Sequence, residues 1–142
     1  MSYCNLNQDV TLNIETDVTH QCALHYTRDK HLIGIISFSK PSYSLQWGDL
    51  EYFRRRVDEF SVMLFPECIG AMIIDIRHVN CFLDGEAPIL PWRLMEEECP
   101  IRIVVNEERL EYYAGFFEAT WLTTNQNHAI QELRDFMDAL VH

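Results

Sequence analysis

The chain has 142 residues, 48% of them apolar and 23% charged, which is long enough for one domain with a real core and far from the composition of a disordered segment. Its 22 acidic side chains against 11 basic ones leave a formal net charge of −11, a field that repels phosphate backbones and anionic lipid and so argues against nucleic acid and membrane surfaces as partners. A basic protein surface or a cationic ligand suits it better.

Val10, Leu12 and Ile14 alternate with Thr11, Asn13 and Glu15, the period of two of a half-buried strand. This strand at 10–15 is free to pair within the domain or with a second copy of the chain, which leaves a homodimer open. Cys22, Leu24 and Tyr26 alternate in the same way, Thr27-Arg28-Asp29-Lys30 supplies a polar turn, and Leu32 to Phe38 returns as a more continuously apolar strand. Together they predict an antiparallel hairpin at a sheet edge, its second strand facing inward. His20, Cys22 and His25 come closest to a metal cluster. On a strand, however, the first two point one way and the third the other, so they do not close on one ion.

After the breaker-rich stretch 40–44, Leu50, Phe53, Val57, Phe60 and Leu64 recur at spacings of three and four, one apolar face of a helix. Ser44 or Gly48-Asp49 sets its start and Pro66 ends it. The basic run Arg54-Arg55-Arg56 lies on this helix and reads as a solvated face or as paired with nearby Glu51, Asp58 and Glu59.

Ala71-Met72-Ile73-Ile74 running into Asp75 suits a strand over 71–76 covered on both faces, the situation of a central parallel strand, and ligands of such sheets gather at the carboxyl ends of the strands. Asp75 reads as an acceptor for N–H groups of the following loop, 77–86. Cys81 reads as a small buried hydrophobe: its sequence neighbours Asn80 and Phe82 bring no cation to lower its pKa. Pro88 and Pro91 fit only near the start of a helix, which should open at Glu86 or Ala87 and run to Cys99, where Pro100 stops it. Leu90 and Leu94 turn inward on it, with Trp92 or Met95, and Glu96-Glu97-Glu98 form a solvated last turn. Asp84 and Glu86 at its opening are placed to cap exposed N–H groups. With Trp92 and Arg93 they make the candidate partner-binding surface.

Ile101, Ile103 and Val105 mark the next strand, and Asn106 followed by Glu107-Glu108 marks a helix opening whose inner face is Leu110, Tyr113, Ala114 and Phe117 and whose weak end is Gly115. Ala119 to Thr123 reads as a short strand, and Thr124 to Asn127 leads into a last helix with Ile130, Leu133, Met137 and Leu140 inward. This alternation predicts an α/β fold: a single mixed, mostly parallel sheet with an N-terminal antiparallel hairpin and about four helices.

The glycines Gly34, Gly48, Gly70, Gly85 and Gly115 match neither a dinucleotide loop nor a P-loop, and no motif fixes a reaction, so neither enzymatic activity nor a cofactor is expected. Cys4, Cys22, Cys68, Cys81 and Cys99 are odd in number and contain no C-x-x-C pair, as in reduced thiols. Residues 1–20 lack the basic start and apolar run of a signal peptide, and a soluble cytoplasmic protein is expected.

From about residue 21 to 140 the chain resembles a STAS domain, the module of anti-sigma factor antagonists and sulphate-transporter tails, with residues 1–20 as an N-terminal extension. The resemblance rests on the order of several parts: the apolar strand ending in Asp75 with Ile76 and Val79, Phe82-Leu83-Asp84 before a helix, Ile101 to Val105, Leu110 to Phe116, and Ala129-Ile130 with Leu133. It implies a regulatory protein-interaction module whose partner is a regulatory kinase or an anti-sigma factor-like protein. Asp84 matches the aspartate that opens the family's second helix, but Gly85 and Glu86 follow it, and no hydroxyl stands between Cys81 and Trp92. The phosphorylatable Ser or Thr is therefore missing. A competing expectation, from a different class, is a small-ligand or lipid carrier, or a degenerate enzyme, with an aromatic-lined pocket between strand 31–38 and Tyr112, Tyr113, Phe116, Phe117 and Trp121.

Overall fold

The computed structural model describes residues 15–26, 32–64, 69–83 and 100–141. One five-stranded sheet runs in the order β1 (Thr19–Tyr26), β2 (Leu32–Lys40), β3 (Ile69–Val79), β4 (Ile101–Val104), β5 (Leu122–Thr123). β1 and β2 are antiparallel and every later pair is parallel, so the fold is the mixed, mostly parallel α/β sheet expected, with β3 at its centre.

Helix α1 (Trp47–Leu64) crosses from β2 to β3 on one face of the sheet. Its Phe53, Val57 and Phe60 are buried against Ile36 and Phe38 of β2 and Met72, Ile74 and Ile76 of β3. Between β4 and β5 a 3-10 turn (Glu107–Arg109) and the one-turn helix α2 (Leu110–Tyr113) add Tyr113 and Phe117 to the same cluster. Strands added one after another in a single direction, each by a right-handed crossover, put their connections on one face. The opposite face is closed by α3 (Gln126–Val141), whose Ala129, Leu133 and Met137 cover Ile33, Ile35, Ala71, Ile73 and Val104.

Residues 15–20 are built into this frame: Val18 is buried in the α1-side cluster, and β1 already begins at Thr19. The arginine run on α1 is paired as expected, Arg54 and Arg55 with Glu51 and Arg56 with Glu59.

Several expectations need correction. β1 is not half-buried: Cys22, Leu24 and Tyr26 share the α1-side face with His20 but are exposed, while His20 meets the helix, its Nδ1 lying 2.7 Å from the Tyr52 hydroxyl. β3 extends to Val79, with a register shift against β2 between Ser37 and Ser39, so Arg77 to Val79 are strand and not loop. Ala114 is exposed: Tyr113 and Phe117, four residues apart and joined by the Phe117 N–H to the Tyr113 carbonyl, carry the inner face without it. Ala119–Trp121 is a 3-10 turn, leaving a strand of only two residues. The strand expected at 10–15, except Glu15, and the helix expected from 86 or 87 to 99 lie outside the described residues.

Candidate functional site

The parallel strands point their carboxyl ends at one rim of the sheet, and polar groups gather there in three places. At the end of β2, Lys40 is completely buried and its Nζ lies 2.5 Å from Asp17 Oδ1 and 2.8 Å from Asp49 Oδ2, with the Ser42 hydroxyl at 2.7 Å. Asp49 is equally buried. It accepts the Gln46 N–H at 2.8 Å, capping α1, and the Thr16 hydroxyl at 2.6 Å. The hydrogen bond from Lys40 holds the Asp17 carboxyl well below the usual carboxylate range. Burial alone would lower the Lys40 pKa, but its bonds to Asp17 and Asp49 outweigh that and raise it.

On β3, the buried Asp75 receives the guanidinium of Arg77 (Nη2–Oδ2 2.7 Å, Nε–Oδ1 3.0 Å) together with the Arg77 backbone N–H, and Arg77 Nη2 also donates to Gln126 Oε1 at 3.1 Å. Asp75 thus accepts the backbone N–H of Arg77, the first residue of the stretch expected as loop, but Arg77 belongs to the strand and its guanidinium is a further partner of the carboxylate. The bond to Asp75 raises the Arg77 pKa. Beside this pair a cavity of about 480 Å³ opens between the ends of β3, β4 and β5, lined by Arg77, His78, Asn106, Glu107, Thr124 and Asn125 among others. Two of its amides are fixed as caps: Asn106 Oδ1 accepts from Glu108 N and Asn125 Oδ1 from His128 N.

The third place is the loop after β3. Arg109 donates from Nη1 to the carbonyl of Val79 and from Nη2 to that of Asn80 at 2.6 Å, and its guanidinium lies 4.8 Å from the centre of the Phe82 ring. The Leu83 N–H donates to the Tyr113 hydroxyl at 3.1 Å, and the Tyr112 hydroxyl donates to the Leu83 carbonyl at 3.3 Å. Phe82, Tyr112 and Phe116 pack edge to face or tilted at 4.7 and 5.1 Å, leaving Phe82 48% and Phe116 41% exposed. Tyr113→Phe leaves the buried Leu83 N–H without an acceptor and should cost about 1 to 2 kcal/mol in urea unfolding; a midpoint unchanged from wild type would show that this bond does not hold the loop.

The candidate residues Asp84, Glu86, Trp92 and Arg93 all lie outside the described residues; the last described residue of the clamped segment, Leu83, precedes Asp84. Sequence reasoning missed Arg109, whose role depends on carbonyls about 30 residues away. Cys81 is buried as expected, and burial raises its pKa; Lys40 and Arg109 do act on it in the opposite direction, so cations are near it in space, but they do not prevail. Tyr113 and Phe117 stack at 5.8 Å as core residues. Among the described residues no group of His, Cys, Asp or Glu is placed to hold a metal ion, and no helix is long and apolar enough to cross a membrane.

The fold and its rim define the class, a mixed-sheet α/β protein whose polar groups collect at the strand ends. Comparison with protein-family models, curated proteins and solved structures returned no match.

Proposed function

We propose that this chain is a non-enzymatic, STAS-like regulatory module that docks a protein partner at the carboxyl end of β3 and is not switched by phosphate after Asp84. One observation carries the reading: a loop fixed by Arg109, Tyr112 and Tyr113 presents Phe82 to solvent, with the exposed Phe116 packed on the same Tyr112 ring. Aromatic rings next to an arginine are the composition of binding hot spots, and a loop already ordered pays little entropy on docking. By contrast, Lys40, Asp17 and Asp49 at the same rim are consumed by one another. The net charge of −11 favours a basic partner surface over nucleic acid or membrane, and the STAS resemblance favours a regulatory kinase or anti-sigma factor-like protein. Cysteines without a C-x-x-C pair favour the cytoplasm.

The test is capture from the native cell extract with the full chain, comparing wild type with Phe82→Ala and Glu86→Lys. A retained protein should bind at least about 30-fold more weakly to Phe82→Ala, the mark of a hot spot worth about 2 kcal/mol. The same retained proteins at the same affinity for both variants would reject this surface.

The cavity beside Arg77 supports a second reading, a small-ligand carrier. With both asparagine Oδ1 atoms occupied as caps, their Nδ2 groups are left to donate to a ligand, beside the acceptor carboxylate of Glu107. Native mass spectrometry of freshly purified protein distinguishes the two readings by a bound small molecule.

A further inference from the structure

The two edges of the sheet are built differently. β5 is two residues long and offers little backbone to pair, whereas β1 has eight residues and, among the described residues, pairs with β2 alone. The outward N–H and C=O groups of an edge strand are a template for another strand, and proteins usually guard them with charged side chains, proline or a bulge. β1 has none of these: Thr19–Tyr26 contains no Asp, Glu, Lys, Arg or Pro, and it pairs with β2 in unbroken register from Thr19↔Ser39 to Tyr26↔Leu32. On its α1-side face Leu24 is 47% and Tyr26 64% exposed, with Cys22 exposed beside them.

From this we infer that β1 is the contact between two copies of the chain, each pairing antiparallel with its counterpart across a two-fold axis so that the two five-stranded sheets continue as one. Charge selects the occupant. A net charge of −11 opposes contact between copies, and the contact that adds least to this repulsion runs along a strip free of carboxylates; β1 is such a strip. A foreign basic segment would instead be recognised by carboxylates, which the strand does not carry. The charges that act on Cys22 from α1, Glu59 and Arg56, are joined in an ion pair at 2.8 Å. An antiparallel strand paired with itself is self-complementary, as a two-fold contact requires. Backbone bonds supply the affinity, and Leu24 and Tyr26 add cross-strand apolar pairs.

Sedimentation of the reduced full chain tests this. Wild type should sediment at twice the chain mass of 16.8 kDa, and Cys22→Lys/Leu24→Lys, which sets like charges along the contact at two exposed positions, at once that mass. Gln131→Lys, at an exposed position on α3, should remain dimeric. A monomeric wild type, or a dimer that survives the double variant, would overturn the inference. If the double variant does not fold, hydrogen exchange of wild type decides: β1 amides should lose protection on dilution while β3 amides keep theirs, and concentration-independent exchange in β1 would overturn it.

Discussion

Lys40→Met is expected to destabilise the protein by about 3 to 5 kcal/mol, the usual result of removing one partner from a buried ionic network and leaving the other charge behind. Asp49 is the group stranded: it is fully buried, and the Thr16 hydroxyl and Gln46 N–H remain as donors but do not balance its charge. Adding Asp49→Asn should recover part of the loss, because an amide leaves no buried charge. Urea unfolding of the two variants measures both steps; a double variant no more stable than Lys40→Met would mean that lost packing of the lysine stem, and not the stranded carboxylate, sets the cost. The same network gives a pH signature. Asp17 has a depressed pKa in the folded state, so its contribution is full above the ordinary value of 3.8 and is lost as the pH falls below it. Lys40 has a raised pKa, so its contribution is full below 10.5 and is lost at more alkaline pH. Stability should therefore fall on both sides of a plateau, and Lys40→Met should flatten the acid limb.

Gly48→Ala is expected to destabilise by about 1 to 3 kcal/mol, although alanine is the better helix former by about 1 kcal/mol. A Cβ at position 48 would meet the Glu15 carbonyl oxygen at 2.0 Å and its carbon at 2.9 Å, both backbone atoms that move only if the segment moves. That displacement carries Thr16 and Asp17 away from Asp49 and Lys40. Gly115→Ala is the control, since its Cβ would lie 3.4 Å from the Tyr112 oxygen, an ordinary contact. Thermal melts of the two variants should separate clearly. Combined with Lys40→Met, Gly48→Ala should cost less than the sum, because both break one network.

Much of the frame was legible in the sequence because periodicity reports burial where an element has one covered face. Phe53, Val57 and Phe60 on α1, and Leu133 and Met137 on α3, are buried as their spacing predicts, and Ala71 to Ile74 form the central strand. The pattern failed where burial depends on distant partners. Nothing near Lys40 marks it as a core residue; its counter-ions come from Asp17 and Asp49, on other segments of the chain. The alternation in β1 was real, but an alternating strand at an edge can have its apolar side beyond the reach of any helix, as Leu24 and Tyr26 show. In the candidate site, the capping role of Asn106 was readable from its neighbours Glu107 and Glu108, whereas Arg109 could be recognised only after the end of β3 lay beside it.

The strictly sequential strand order has a bearing on synthesis. Each strand is laid beside the one made just before it, so a chain emerging from the ribosome can extend the sheet in the order in which it is translated, with no early strand waiting for a late insertion between neighbours. The exception is the face of Ile33, Ile35 and Ile73, which α3 covers only after all five strands have been made. Until then those aliphatic side chains are uncovered on the nascent chain, and a chaperone that shields aliphatic strand faces has a claim on the protein there.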